Sequence, residues 1–438
     1  LLFLCFCQWT MAQQADRLAS RILEPAAMQE DILYLKRLLQ ETHPGLYRYT
    51  SKDAMLAKFD SILAVAQKPI PFYDFYALVA GIIADVHCAH TYSLPVKDMG
   101  YYDRLYTSIL FFLFPLQNKL YVLFNLTGDQ QVLPGFELLS VNGRSVDSIS
   151  TIMKRYYWAE GHIELSKNAV MQGQFFNIFY YAFVERPPVF NLRLRTLAGD
   201  TISYRVAAQT FSQSVKWLKK NPVNKQMDTW YNNKKEKFPW RVSFPKDIAS
   251  TAILRLDGFG GPGMDTEEQA RAGMQKFMDA TMRQLEKNGI HNLVIDVRAN
   301  NGGWDNQGVE LFTYLLRSDT SVKYYRRKHA VTDSSAFLKY SDISPEDLRN
   351  VKNELVAEAD GTFTLKEETS PTLQLQKAKP NRFRGQVYIL MDEKTFSTAA
   401  EFTAAARYYD VGVFVGQETP GAYDGGNGSS FIHLEQIG

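Results

Sequence analysis

The chain has 438 residues and a formal net charge of +2, with 45% hydrophobic and 22% charged residues. This is an ordinary globular balance, long enough for about three domains. A charge so close to neutral argues against a nucleic-acid partner held by bulk electrostatics.

The opening stretch, LLFLCFCQWTMAQQ, is apolar and leads to the small Ala12, like the hydrophobic region and cleavage site of an export signal. A starting Met and a basic flank are missing. Residues 1–12 are therefore expected to be the remnant of a signal peptide, and the protein to be exported, periplasmic or extracellular. The run is too short to span a bilayer, and no later stretch reads as a transmembrane segment. Bulky Leu4 and Phe6 precede Cys5 and Cys7, which argues against lipid attachment there. The mature chain would keep only Cys88, so it would have no internal disulfide.

Residues 17–95 read as an N-terminal helical domain. Between Gln29 and Thr42 the apolar positions Ile32, Leu33, Leu35, Leu38 and Leu39 form a helical stripe, closed by Pro44-Gly45. A second helix is expected from Tyr73 to Ile83. Residues 101–210 change to a β-rich pattern, with LYTSILFFLFPL and KLYVLFNL bounded by turn residues. In LPGFELLSVNGRSV, Pro134-Gly135 predicts a turn, Phe136–Val141 a strand and Asn142-Gly143 a tight hairpin. Residues 211–246, Lys-rich from Lys216 to Lys237, read as a solvated linker.

From 247 to 438 strands alternate with helices, which implies an α/β layer fold. The expected order is a strand at Thr251–Leu256 and a helix at Asp265–Asn288, with a Thr266/Gln269 capping box and a stop at Gly289. A buried strand at Asn292–Val297 then enters an Asn-Asn-Gly-Gly loop, followed by a helix at Asn306–Arg317. Residues 318–384 read as an insertion with short helices, a lid or cap. A strand at Gln386–Asp392, a helix at Ala399–Tyr409 and a strand at Val411–Val415 complete the pattern.

Three segments carry groups suited to chemistry. In LVIDVRANNGGWDN, Gly302-Gly303 let backbone approach a ligand, and free N–H groups at a strand-to-helix turn stabilise developing negative charge. Gly-Gly loops also join strands to helices with no such role. In VYILMDEKTFSTAAEF, Ser397 and Thr398 open a helix near its positive end. They fit a plain cap equally well, and Thr398 with Glu401 spells a complete capping box. In ADVHCAHTYSLP, Asp85, His87 and His90 lie close together. A neutral imidazole there suits a general base for a serine. A metal site or a structural histidine cluster are the other readings. Cys88 beside two histidines suggests a thiol hydrolase, though a lone Cys is usually buried filler.

Taken in order, these segments resemble the C-terminal-processing (tail-specific) serine peptidases, especially their tricorn-like and interphotoreceptor retinoid-binding-protein-like branch. The resemblance runs from ETHPGLYRY through the HT-containing helix end, the VNG element, AILRLDGFGG, DVRANNGG and VYILMDEKTFSTAAEF to VGQETPGAYDGG. It implies an α/β, ClpP/crotonase-like catalytic core with an N-terminal helical region and a PDZ-like β-rich domain. It also implies a serine peptidase acting on peptides or unfolded proteins, without metal or other cofactor.

The Thr395-Phe396-Ser397 spelling makes Ser397 the nucleophile. Thr398 would be the donor of an oxyanion N–H, or the alternative nucleophile, with Gly302 or Gly303 giving the second N–H. The lysine of the family's best-known members is replaced by Ala422. The resemblance therefore assigns the base to histidine, His90 before His87. A downstream Glu would orient it, for which Glu435 stands as candidate, and the chain is expected to stop mid-domain. Gly135, Phe136 and Glu137 would bind the substrate, although Phe136-Glu137 departs from the usual Gly-Asp. A non-catalytic peptide- or hydrophobic-ligand-binding protein on the same fold is the competing reading. Oligomeric state is not legible.

Overall fold

The computed structural model describes residues 18–231, 238–332, 334–340, 344–421 and 434. Residues 1–12, Ala422 and Glu435 lie outside the described residues, so the leader, the lysine-replacement and the downstream-Glu readings do too.

The N-terminal region is built on three helices, α1 (Pro25–Thr42), α2 (Lys52–Val65) and α3 (Phe72–Asp85). On α1 the buried side chains Met28, Ile32, Leu35, Leu38 and Leu39 recur at helical spacing, whereas Leu33 is exposed. Ser51 caps α2 by accepting from Ala54 N–H at 3.3 Å. The apolar α3 is buried almost all round and runs into the segment that carries His87 and His90.

The β-rich region forms an antiparallel sheet of β1 (Phe111–Leu116), β2 (Lys119–Asn125), β3 (Glu137–Val141), β4 (Val189–Arg195) and β5 (Thr201–Ala207), in that spatial order. Asn142 and Gly143, both at positive φ, turn β3 back on Arg144–Ser145. Alternating Phe190, Leu192 and Leu194 bury one face of β4. The helical and β-rich regions share a single apolar cluster that runs from Leu23 to Phe211.

The segment read as a solvated linker is instead partly built into this body. Asn224 is 1% exposed. Its side chain accepts from the Asn125 N–H and donates to the Asn125 carbonyl, both at 2.8 Å. It thus satisfies the β2 backbone as a neighbouring strand would. The Lys-rich composition hid this, because a few Asn side chains do the anchoring.

The C-terminal body centres on a sheet in the order β6 (Trp240–Ser243), β7 (Thr251–Leu256), β8 (Asn292–Asp296), β9 (Gln386–Met391) and β10 (Val413–Gly416). Strands β7 to β10 are parallel, and β6 is an antiparallel edge. Apolar runs such as Leu293, Ile295, Val387 and Ile389 are buried, as strands covered by helices require. The helices are α4 (Glu267–Lys287), α5 (Asp305–Thr313) and α6 (Thr398–Tyr408), with α5 packed against both others.

Gly289 ends α4 at positive φ, with Gly289 N–H on Glu286 O and Ile290 N–H on Leu285 O, as a Schellman stop demands. The expected capping box at its start is only half formed. Thr266 accepts from Gln269 N–H, but the Gln269 side chain accepts from Asp265 N–H rather than from the cap residue.

The insertion contains more strand than expected, with a small three-stranded sheet of His329–Ala330, Phe363–Leu365 and Leu355–Ala357. It reaches back to α1. Phe337 packs on Tyr34 at 5.2 Å, and Ser335 donates to Glu41 at 2.7 Å.

Removing the anchor at Asn224 leaves a buried N–H and a buried C=O without partners. Asn224→Ala should therefore lower stability by about 2 to 4 kcal/mol in urea unfolding. A loss below about 0.5 kcal/mol would show the segment to be the loose linker its composition suggests.

Candidate active site

Strands β8 and β9 are parallel neighbours, so the loops leaving their C-terminal ends emerge side by side. Ligand sites of open parallel sheets form at such ends. The two loops are laced together. Thr395, fully buried, donates to Val297 O at 3.0 Å, and Phe396 N–H donates to Asn300 O at 2.8 Å. Asp392 accepts from Ala299 N–H at 2.9 Å.

This lacing ends at Ser397, which precedes α6 with φ 52° and ψ −130°. A serine held in so sparsely populated a region costs about 1 to 3 kcal/mol and persists only where its surroundings fix it. The result is a sharp strand-to-helix turn that lifts the hydroxyl clear of the helix. It makes no capping bond.

The paired-glycine loop presses on this turn. A Cβ at Gly302 (φ 94°) would lie 2.6 Å from Ser397 Cβ, and one at Gly303 (φ 138°) would lie 1.6 Å from Phe259 O. Neither position tolerates a side chain. Gly302 N–H donates to Asn300 Oδ1 at 2.9 Å, which occupies it as a donor. The Gly303 and Thr398 N–H groups have no backbone acceptor among the described residues, so of the two glycines it is Gly303 whose N–H is uncommitted there.

Thr398 is fully buried and turned inward, its hydroxyl 2.8 Å from Gly303 O and 3.2 Å from Asp305 Oδ1. The predicted Thr398/Glu401 capping box is absent. The helix begins one residue earlier than that motif needs, with Ser397 rather than Thr398 at the cap position, and Glu401 accepts instead from Tyr325 OH at 2.5 Å. The hydroxyl of Thr398 is thus a strut between loop and helix, not a presented nucleophile.

His90 arrives from the N-terminal region. Its Nε2 lies 3.3 Å from Ser397 Oγ. Its ring stacks on Phe396 at 4.5 Å and 24°. Burial pushes its pKa below the ordinary 6.5, with the Asp305 carboxylate pulling the other way. Its Nδ1 is buried without a hydrogen-bond partner among the described residues.

His87 goes elsewhere. At φ 55° it directs its ring to His162 at 4.8 Å and Tyr49 at 6.3 Å. Asp85 pairs with Lys58. The three side chains of the metal reading therefore diverge, and no cluster of three or more ligating residues is found among the described residues. Cys88 is 5% exposed and packed into the N-terminal core, which removes the thiol-hydrolase reading.

Gly135, Phe136 and Glu137 are not brought to Ser397 by any observed contact. Gly135 N–H donates to Val122 O and Phe136 N–H to Leu133 O. Glu137 pairs with Arg195 at 2.8 Å and Lys119 at 3.5 Å. These N–H groups are thus engaged by backbone carbonyls and the Glu137 carboxylate by two cations.

Several residues of the site carried no clear mark in the sequence. Phe396 gives the imidazole a stacking face, and Asp392 with Thr395 builds the turn. His43, inside the ETHPGLYRY stretch, lies 2.8 Å from Thr91 Oγ1, next to His90. Glu160 accepts from Ala89 N–H at 3.0 Å. Of these, residue type alone singles out only His43.

Residues 250–430 match the family model described as Peptidase family S41. Among solved structures, mature CPAF complexed with lactacystin is 13% identical and superposes at a TM-score of 0.55, covering 91% of this chain and 85% of that one. Mature CPAF is 14% identical with a TM-score of 0.54, covering 90% and 84%. At such identity these likenesses concern the fold alone. No curated protein sequence matches the chain.

Gly302→Ala should cut turnover by about 100-fold or more, because its methyl would displace the Ser397 turn. Melting should show the variant still folded, and near-normal turnover would contradict the close approach.

Burial, reinforced by Asp305, raises the Glu401 carboxyl from 4.5 to about 7. Stability from this group is present below pH 4.5 and lost as pH rises through about 7. Glu401→Gln should lose that dependence, and gain up to about 3 kcal/mol over the native chain at pH 8 relative to pH 4 in thermal or urea melts. An unchanged pH–stability difference would contradict it.

Proposed function

We propose that this chain, a serine peptidase of family S41 type, hydrolyses peptide bonds through a Ser397–His90 pair. The contact that carries the reading is His90 Nε2 at 3.3 Å from Ser397 Oγ, a distance that tightens readily on substrate binding. Depressed by burial, the His90 pKa keeps the imidazole neutral near neutral pH, the form a base requires.

In this mechanism His90 Nε2 takes the proton of Ser397 Oγ as the oxygen attacks the carbonyl carbon. The N–H groups of Thr398 and Gly303 stabilise the oxyanion. His90 then returns the proton to the leaving amine, and water attacks the acyl-enzyme with the same histidine as base. Stacking on Phe396 holds the ring through both halves of the cycle.

The finer assignments belong to the same proposal. The parallel sheet and its helices are read as a ClpP/crotonase-like core, and the antiparallel sheet as PDZ-like. The substrates are read as exported peptides or unfolded proteins, which fits the apolar opening of the sequence.

A fluorophosphonate probe should label the native full-length protein at Ser397. Ser397→Ala should abolish labelling, and His90→Ala should slow it by about 100-fold or more. Because the neutral imidazole is the working form, the acidic limb of the kcat/KM profile should have its midpoint below pH 6.5. Labelling that survives Ser397→Ala, or a limb above pH 6.5, would contradict the assignment.

A further inference from the structure

Among the described residues His90 is held by its chain neighbours, its Nδ1 finding no partner there. On one side, Ala89 N–H donates to the Glu160 carboxylate at 3.0 Å. On the other, His43 Nε2 lies 2.8 Å from Thr91 Oγ1. Gly45 N–H donates to His43 Nδ1 at 3.1 Å, which fixes the tautomer with the proton on Nε2 and makes His43 the donor to Thr91. Burial keeps His43 in that neutral form by pushing its pKa down to about 4. The residue after Glu160 adds a third tie, as Gly161 N–H donates to His87 O at 2.9 Å.

Glu160 is 2% exposed, and it belongs to the β-rich region rather than to the helix that delivers His90. A carboxylate oxygen makes a stronger bond to a backbone N–H than a neutral acceptor does. Around it lies a cavity of about 20 Å³, lined by His43, Arg48, Tyr49, His87, Cys88 and Glu160. That is room for about one water, so the loop has little space in which to drift.

We propose that Glu160 is a positioning residue for His90, clamping the Ala89 N–H so that the imidazole stays in register with Ser397. The proposal rests on the Ser397–His90 reading above. It puts a carboxylate on the backbone beside the base. The reacting groups come from regions far apart in sequence, and alignment between such parts is worth a large factor in rate, since a displacement of about 1 Å can cost about 100-fold.

The test is fluorophosphonate inactivation of the full-length protein, resolved into probe binding and the limiting rate of Ser397 modification. Glu160→Ala should lower the limiting rate by about tenfold or more, with probe binding within about threefold of native. Glu160→Gln, which keeps an acceptor oxygen, should restore the limiting rate to within about threefold of native. If Glu160→Ala does not fold, Glu160→Asp replaces it, and its retracted carboxylate should give a slower limiting rate at native probe affinity.

A folded Glu160→Ala or Glu160→Asp that reacts at the native rate, an effect confined to probe binding, or a loss in Glu160→Gln equal to that in the disruptive variant would each overturn the clamp. A native protein unlabelled at Ser397 would instead sink the Ser–His reading itself, so the two failures are distinguishable.

Discussion

Ser397 occupies a backbone conformation that a serine adopts only under constraint, and the architecture of the C-terminal body supplies that constraint. Parallel β8 and β9 bring two loops together. Thr395 and Phe396 tie one loop to the other, and Gly302 comes close enough that no side chain fits between. Thr398 then fastens the helix start to Gly303 O. The hydroxyl is thereby carried on a turn flanked by Thr398 and the paired-glycine loop, where the Thr398 and Gly303 N–H groups have no backbone acceptor among the described residues. Loosening the turn would cost alignment of all three together.

The second half of the site depends on how the N-terminal body is built. The apolar α3 is buried nearly all round and delivers the His90 loop to the C-terminal body. That loop is pinned by His43 from the end of α1 and by Glu160 from the β-rich region. Three stretches of sequence thus converge on one imidazole. The insertion joins the same scheme from another side. Its Tyr325 bonds Glu401 on α6, and its Phe337 packs against Tyr34 on α1.

Local signals made much of this legible. The stripe on α1, the Asn142-Gly143 turn, the stop at Gly289 and the strand–Gly-Gly–helix pattern each follow from short-range chemistry, and each is found. Family likeness pointed to Ser397 and His90, which the fold brings within 3.3 Å. What stayed hidden involves partners remote in the chain. Nothing near Thr398 foretells that its hydroxyl turns to Gly303 O, so a capping box looked natural. Nothing near Gly302 reveals that Asn300 occupies its N–H. Glu160 looks like any loop acid until the fold buries it, and Asn224 was lost among lysines. The Phe136-Glu137 departure from the usual spelling was a useful warning, since the groups of Gly135–Glu137 turn out to be engaged within the sheet.

The most direct measurement is a crystal structure of the full-length protein reacted with a peptidyl boronic acid. The account predicts boron bonded to Ser397 Oγ, with one boronate oxygen about 3 Å from both the Thr398 and Gly303 nitrogens and another facing His90 Nε2. A boronate attached elsewhere, or one whose oxygens avoid both amides, would contradict the claim that this turn is built to stabilise an oxyanion.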